Sequence, residues 1–216
     1  MKFNPNSPFF QFMNTLASFI ALNVLFLLTC LPVITIGPAL CALYDVTMQE
    51  ARGEYGYLIR SYFRSFWKNL RKGILLFLLL AALGMILLFN LVFWYQMNTV
   101  SGTIISFMLT LAAGAYLFIL LYVFALTARF ENSLKETLKN SFLLAVNYKK
   151  QTILLFLLPA AAIGACIIMP QAKIFMILVG FSFLVYCQAF LLNQVFKNYL
   201  ESPEVSASGL LPNHLE

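Results

Sequence analysis

The residue types that carry out chemistry are sparse in this sequence, and they are not gathered together. Cys30, Cys41, Cys166 and Cys187 show no C-x-x-C spacing and fall in or near apolar runs, where a thiol packs as a small hydrophobe. The one histidine, His214, stands just before a closing Leu215-Glu216 that reads as a cloning remnant, so it is given no role. A metal centre needs His, Asp or Cys ligands that face one another, and the pattern offers none; no Gly-rich phosphate loop or Ser-His-Asp set appears either. The expectation is a protein that is not an enzyme, with no catalytic residue, no metal and no cofactor. The polar residues of the apolar runs, Asn14, Asn23, Thr35, Asn90, Gln188, Asn193 and Gln194, are uncharged and suit helix contacts better than substrate binding.

Two patterns remain as candidate sites. In Tyr57 to Lys72, Arg60, Arg64 and Lys68 recur every four residues beside Leu58, Tyr62, Phe66 and Leu70, which on a helix gives a cationic stripe next to an aromatic-aliphatic one. Such a helix lies at a membrane interface, and Arg60, Arg64, Phe66, Trp67, Lys68 and Arg71 are the candidate cytoplasmic docking or lipid contacts. The second pattern is Leu31 to Ala39, where Pro32, Thr35, Gly37 and Pro38 interrupt an apolar run. Prolines remove backbone donors, so this stretch is either a helix end with a turn or a broken helix that forms a binding site.

Those patterns need a membrane to sit in, and composition supplies it. The chain is 62% hydrophobic and 10% charged, against roughly a quarter charged in soluble proteins. Its net charge of +6 sits at the edges of apolar runs and not on a base-reading surface, which excludes nucleic acid as a partner. The reading is all-α: a polytopic membrane helix bundle of about five transmembrane helices, at 10–36, 73–95, 103–128, 152–169 and 174–196, with two amphipathic cytoplasmic helices. One transmembrane domain covers 1–200, and 201–216 is a polar cytoplasmic tail. The run at 9–36 is too long and too weakly preceded by charge for a cleaved leader and is expected to be retained. Leu40 to Glu50 reads as a juxtamembrane helix with Asp45, Gln49 and Glu50 as its polar face, the Ala112–Ala115 patch as a site of close helix approach, and Pro170 to Lys173 as a turn.

Orientation follows from the basic residues. Of the 14, Arg52, Arg60, Arg64, Lys68, Arg71, Lys72, Arg129, Lys135, Lys139, Lys149, Lys150 and Lys197 fall on one side, leaving Lys2 and Lys173 on the other. Basic loops stay cytoplasmic, so with five spans the N-terminus is expected outside and the C-terminus inside. A faint internal repeat accompanies this: residues 74–82 match 153–161 at eight of nine positions, 79 residues apart, and the same shift carries Arg60 onto Lys139, Phe63 onto Phe142 and Arg71 onto Lys150. It suggests a parallel duplication in which span, cytoplasmic amphipathic helix and span occur twice, followed by a fifth span.

The stretch Leu31-Pro-Val-Ile-Thr-Ile-Gly-Pro-Ala-Leu-Cys-Ala-Leu-Tyr44, with Arg60-x-x-Phe63-Arg-Ser-Phe66-x-Lys-Asn69, Arg129-Phe130 and Leu138 to Leu144, resembles the YesL-like integral membrane proteins, a bacterial family of unknown function. The resemblance implies a multi-pass protein of the bacterial plasma membrane encoded beside carbohydrate-uptake genes, and it assigns no catalytic residues. Its implied role is that of an accessory or regulatory subunit in carbohydrate (oligosaccharide) import, with the lipid bilayer and a sugar ABC importer or another membrane protein as partners. The alternatives are a small solute facilitator that uses the broken first helix and a lipid-binding structural membrane protein.

Overall fold

The computed structural model describes residues 8–54, 56–97 and 99–200, and over these the chain is helical without a strand. The expected tail at 201–216 and the side chain of Asn14 lie outside the described residues. The helices are α1 (Pro8–Cys30), α2 (Ile36–Ala51), α3 (Leu58–Lys68), α4 (Leu70–Gln96), α5 (Val100–Arg129), α6 (Leu134–Asn147), α7 (Lys149–Ile168), α8 (Pro170–Phe175) and α9 (Phe181–Leu200). A 3-10 turn, Val33–Thr35, separates α1 from α2, and a π turn, Met176–Gly180, joins α8 to α9.

Four stretches among the described residues are long and apolar enough to cross a membrane: Leu70–Gln96, Val100–Arg129, Lys149–Ile168 and Pro170–Leu200. The all-helical membrane architecture is therefore as expected, and α1 contributes a shorter apolar stretch, Thr15–Cys30. The expected first span, 10–36, is not one helix. The chain ends α1 at Cys30, where Pro32 cannot donate to continue it, and folds back through the 3-10 turn. Phe19 meets Tyr186 and Phe26 meets Phe181, so α1 runs antiparallel to α9. Tyr44 then reaches Gln188 and Met48 reaches Asn193, so α2 returns alongside α9 in the opposite sense to α1.

Thus α1 and α2 form a hairpin. Its turn lies on α4, and its open end adjoins the loop into α3, where Ala17, Ser18 and Ala21 line a cleft with Gly56 to Ile59. That loop turns at Gly53, whose φ of 76° is the left-handed conformation that glycine adopts without strain.

The expectation for α2 needs the largest correction. It is the hub of the molecule, in contact with α1, α3, α4, α5 and α9, and not a peripheral helix. Gly37, Pro38, Ala39, Cys41, Ala42 and Leu43 are buried because a mostly small-residue face lets five helices close on one. Its polar residues Asp45, Gln49 and Glu50 fall on the remaining strip, where the Gln49 amide donates to Asp45 at 2.9 Å.

The α4–α5 hairpin is pinned by Tyr116, which donates to the Leu80 carbonyl at 2.8 Å beside Gly84, and by a close approach of Gly102 to the Trp94 carbonyl. The alanine-glycine patch at 112–115 is not the contact: a Cβ on Gly114 would meet nothing within 4 Å. Likewise the break between α7 and α8 is confined to Met169, because Pro170 has the φ of a first helical residue and starts the next helix.

In α7, Pro159 has no N–H to give the Leu155 carbonyl four residues earlier. Gln188 of α9 fills that position, donating Nε2 to Leu155 O at 3.3 Å while its Oε1 accepts from the Tyr44 hydroxyl at 2.8 Å. Gln188→Leu is expected to cost about 1–2 kcal/mol in the native chain and distinctly less when Pro159→Ala restores the helical donor. A double-mutant cycle on unfolding in detergent reads this directly, and zero coupling would refute it.

The internal repeat is carried by structure as well as sequence. α3 ends at Lys68 and α4 begins at Leu70; α6 ends at Asn147 and α7 begins at Lys149, both 79 residues on. At the same shift, Tyr62 and Ser141, Phe66 and Ala145, Gly73 and Thr152, and Leu76 and Leu155 are buried pairs, whereas Arg60 and Lys139, Trp67 and Val146, and Arg71 and Lys150 are exposed pairs. Each unit leans on the preceding helix at an equivalent point: Gly73 packs against Pro38 of α2, and Thr152 shares a 2.9 Å hydrogen bond with Tyr122 of α5.

Candidate functional site

The end of the bundle where α4 and α7 begin and α5 and α9 finish gathers the basic residues, and α3 is its most developed surface. One face of α3 is used internally. Tyr62 is fully buried, its hydroxyl lies 2.6 Å from that of Thr29 in α1, and its ring stacks on Phe66 with centroids 6.4 Å apart. At the helix end, Asn69 donates to the Ser65 carbonyl at 3.1 Å, which closes the joint with α4.

The outward face is double. Arg60, Arg64 and Lys68 are exposed along one ridge, which Arg71 extends from the start of α4, and Ile59, Phe63 and Trp67 are exposed along another, with Trp67 at 67%. The spacing of four produces both ridges, because each series advances about 40° per step around the helix. Of the expected contact residues, Arg60, Arg64, Trp67, Lys68 and Arg71 share this face. Phe66 does not. It falls in register with Tyr62 and packs inward, so it braces the ridge from behind. Ile59 and Phe63 are the members that the sequence reading missed, although their spacing from Trp67 was the available signal.

α6 repeats the theme. A capping box starts it: the Glu136 N–H donates to Ser133 Oγ at 3.3 Å, and the Ser133 N–H donates to Glu136 Oε2 at 2.8 Å. Donation from the Ser133 N–H holds the Glu136 carboxyl below its ordinary range. Lys135, Lys139, Phe142, Leu143 and Val146 face outward.

Between the α3–α4 joint and the end of α5 lies a cleft of about 310 Å³, lined by Lys68, Asn69, Lys72, Thr127, Arg129, Phe130 and Glu131. Lys68 pairs with Glu131 at 2.8 Å, and the Lys72 ammonium donates to the Asn132 carbonyl. Behind it Arg129 and Arg52 both reach Asn193 Oδ1, at 3.4 and 3.2 Å. The same Asn193 donates Nδ2 to the Met48 carbonyl at 3.0 Å. Arg52 also pairs with Glu54 at 2.6 Å, and this pairing holds the Glu54 carboxyl below the usual carboxylate range.

The broken-helix residues do different work. The Thr35 hydroxyl is placed 2.6 Å from both the Thr29 and the Pro32 carbonyls and so is consumed within the turn. Gly37 and Pro38 are buried where α2 crosses Gly73 of α4, and Pro32 is exposed at the tip. The structure brings Thr35, Gly37 and Pro38 together as a packing joint, apart from the α3 ridge. Cys41 is buried in α2 and Cys30, Cys166 and Cys187 are half-buried, all as free thiols.

No curated protein and no solved structure matches the chain. Residues 19–91, roughly a third of the 216, match a family model described as a protein of unknown function, DUF624. The matched stretch contains Leu31–Tyr44 and Arg60–Asn69, so it is consistent with the YesL-like resemblance. In this chain the matched stretch runs from within α1 through α2 and α3 to residue 91 of α4.

Proposed function

We propose that the protein is a non-enzymatic membrane protein serving as an accessory or regulatory subunit in the bacterial plasma membrane, with the basic end cytoplasmic and α3 as its contact surface. The observation that supports this is the outward face of α3: three exposed cations, Arg60, Arg64 and Lys68, beside Ile59, Phe63 and Trp67, on a helix fixed from behind by Tyr62 and Phe66, with Arg71 following at the start of α4. A rigid face of that kind suits recognition, because little ordering entropy remains to be lost on binding. Basic loops are retained in the cytoplasm, which orients the bundle. In this reading the α1–α2 hairpin enters and leaves on the cytoplasmic side, so the start of α1 lies inside and not outside as the five-span count implied.

The system served is carbohydrate import, the setting that the YesL-like resemblance implies. The facilitator alternative has less support, since the polar groups that would line its path are engaged in helix contacts: Thr35 in the turn, Asn90 on its own Ile86 carbonyl, and Gln188 between α2 and α7. Affinity purification from native membranes is expected to recover importer components with the native chain and to lose them when Arg60, Arg64 and Trp67 are replaced by Gln, Gln and Ala. Recovery of no transport component, with oligosaccharide uptake unchanged on deletion, would overturn the proposal.

A further inference from the structure

Two cations at the basic end lack the partners their surroundings call for. Lys68 and Glu131 neutralise one another across the mouth of the cleft. Lys72 and Arg129 are both half-buried, and their hydrogen bonds go to neutral acceptors, the Asn132 carbonyl and the Asn193 amide oxygen. Neither forms an ion pair among the described residues; Glu131 and Glu136 act on Lys72, and Glu54 and Asp45 on Arg129, at longer range. Partial removal of a cation from water is costly unless an anion compensates, and here Lys72 and Arg129, from different helices, line one cavity whose carboxylate, Glu131, is already paired with Lys68.

The cavity's position says what kind of anion would reach it. It opens beside Trp67 and Lys68, at the end of the ridge whose Ile59, Phe63 and Trp67 side chains are exposed and apolar. Exposed apolar side chains next to a basic row mark the depth at which hydrocarbon gives way to headgroups. A volume of about 310 Å³ is also too large for one ion and of the size of a small ligand.

We infer that the cleft between the α3–α4 joint and the end of α5 binds the phosphate of an anionic phospholipid headgroup, held by Lys72 and Arg129. Arg129 offers a planar fork to phosphate oxygens and Lys72 a point charge, the usual division of labour in phosphate recognition. Basic pockets between membrane helices on the cytoplasmic side take such headgroups. The inference rests on the basic end facing the bilayer surface, and it is independent of the accessory role: bound lipid without a recovered partner would keep the site and remove the role.

The test is lipid retention by the purified full chain, read by native mass spectrometry against phosphatidylglycerol, phosphatidylcholine and inorganic phosphate. Phosphatidylglycerol is expected to be held about tenfold over phosphatidylcholine, to survive about 0.15 M salt, and to fall by about tenfold or more in the Lys72→Gln, Arg129→Gln pair. The Arg60→Gln, Arg64→Gln pair should lose only the attraction that salt already screens, and Lys72→Arg, which keeps the charge and leaves the Arg129 fork in place, should bind close to the native chain. Undiminished phosphatidylglycerol on the folded glutamine pair overturns the site. Displacement of the lipid by millimolar phosphate makes it a free-anion site and overturns the lipid assignment. Should the glutamine pair not fold, equal retention of phosphatidylcholine by the native chain overturns it as well.

Discussion

Gly37→Ala is expected to lower the stability of the protein by about 3 kcal/mol or more, the largest effect of any single methyl group that the fold predicts. A Cβ on Gly37 would overlap the Gly73 carbonyl oxygen and come within 2.8 Å of the Gly73 carbonyl carbon and of the Phe77 Cβ. From the other side, a Cβ on Gly73 would lie 2.7 Å from Pro38 N and 2.8 Å from Pro38 Cα. Most overpacked side chains escape by changing rotamer, but here the obstacle is backbone on both sides, so two helices must separate. Separation is costly in a bilayer, where helix association relies on close packing and not on exclusion of water.

Gly73→Ala should cost a similar amount. The double substitution should cost less than the sum, since helices already pushed apart by one methyl accommodate the second. Gly114→Ala and Gly164→Ala provide the contrast, as neither meets a neighbour within 4 Å, and alanine is the better helix former; both should be neutral or stabilise by up to about 1 kcal/mol. Unfolding in detergent, followed by heat or by limited proteolysis, measures all of them. Gly37→Ala melting with the native protein would mean that α2 does not cross α4 at this point.

That crossing also shows what could be read in the chain and what could not. Apolar runs without charges announced the long helices, and a repeat of four announced the faces of α3, because both are local patterns with a known period. The 79-residue echo was visible in leucine-rich segments and became structural only through burial, since Tyr62 and Ser141 or Phe66 and Ala145 share an environment without sharing a type. The role of α2 was hidden. Asp45, Gln49 and Glu50 drew it toward the surface in any hydropathy reading, whereas Gly37, Ala39, Cys41 and Ala42 are weakly hydrophobic and still the most enclosed. In a membrane, smallness decides which helix lies at the centre, and hydropathy scales do not score smallness. The same holds for the lipid cleft: Lys72 and Arg129 lie 57 residues apart, and only the α4–α5 hairpin brings them to one cavity.

Three polar residues of the bundle act alike, and the second large prediction follows from them. Each satisfies a backbone group that an irregular helix has left without its partner: Gln188 answers the carbonyl orphaned by Pro159, Thr35 answers the end of α1, and Asn23 answers the π turn. At Met176–Gly180 the wider turn shifts the hydrogen-bond register by one residue and frees groups on its inner side. Asn23 is fully buried against it. Its Nδ2 donates to Ile177 O at 2.6 Å and to Met176 O at 3.3 Å, and its Oδ1 accepts from the Ser182 N–H at 3.0 Å and the Ser182 hydroxyl at 3.3 Å. Asn23→Leu keeps the branch at Cγ and removes every one of these bonds, so a carbonyl and an amide are left unpaired in an apolar setting. Each such group costs about 1–3 kcal/mol when buried, though measured interhelical bonds in membranes average nearer 0.6, so a net loss of about 2 kcal/mol is expected. The loss should be local before it is global: amide exchange over 176–182 should quicken, while α4 and α5 keep native protection. Asn23→Asp retains the acceptor for Ser182 and loses the donor to Ile177, so it should protect the Ser182 amide and fail to restore the melting temperature. If Asn23→Leu instead melts and exchanges like the native chain, the π turn is held by its own packing on α1, and the amide is incidental to it.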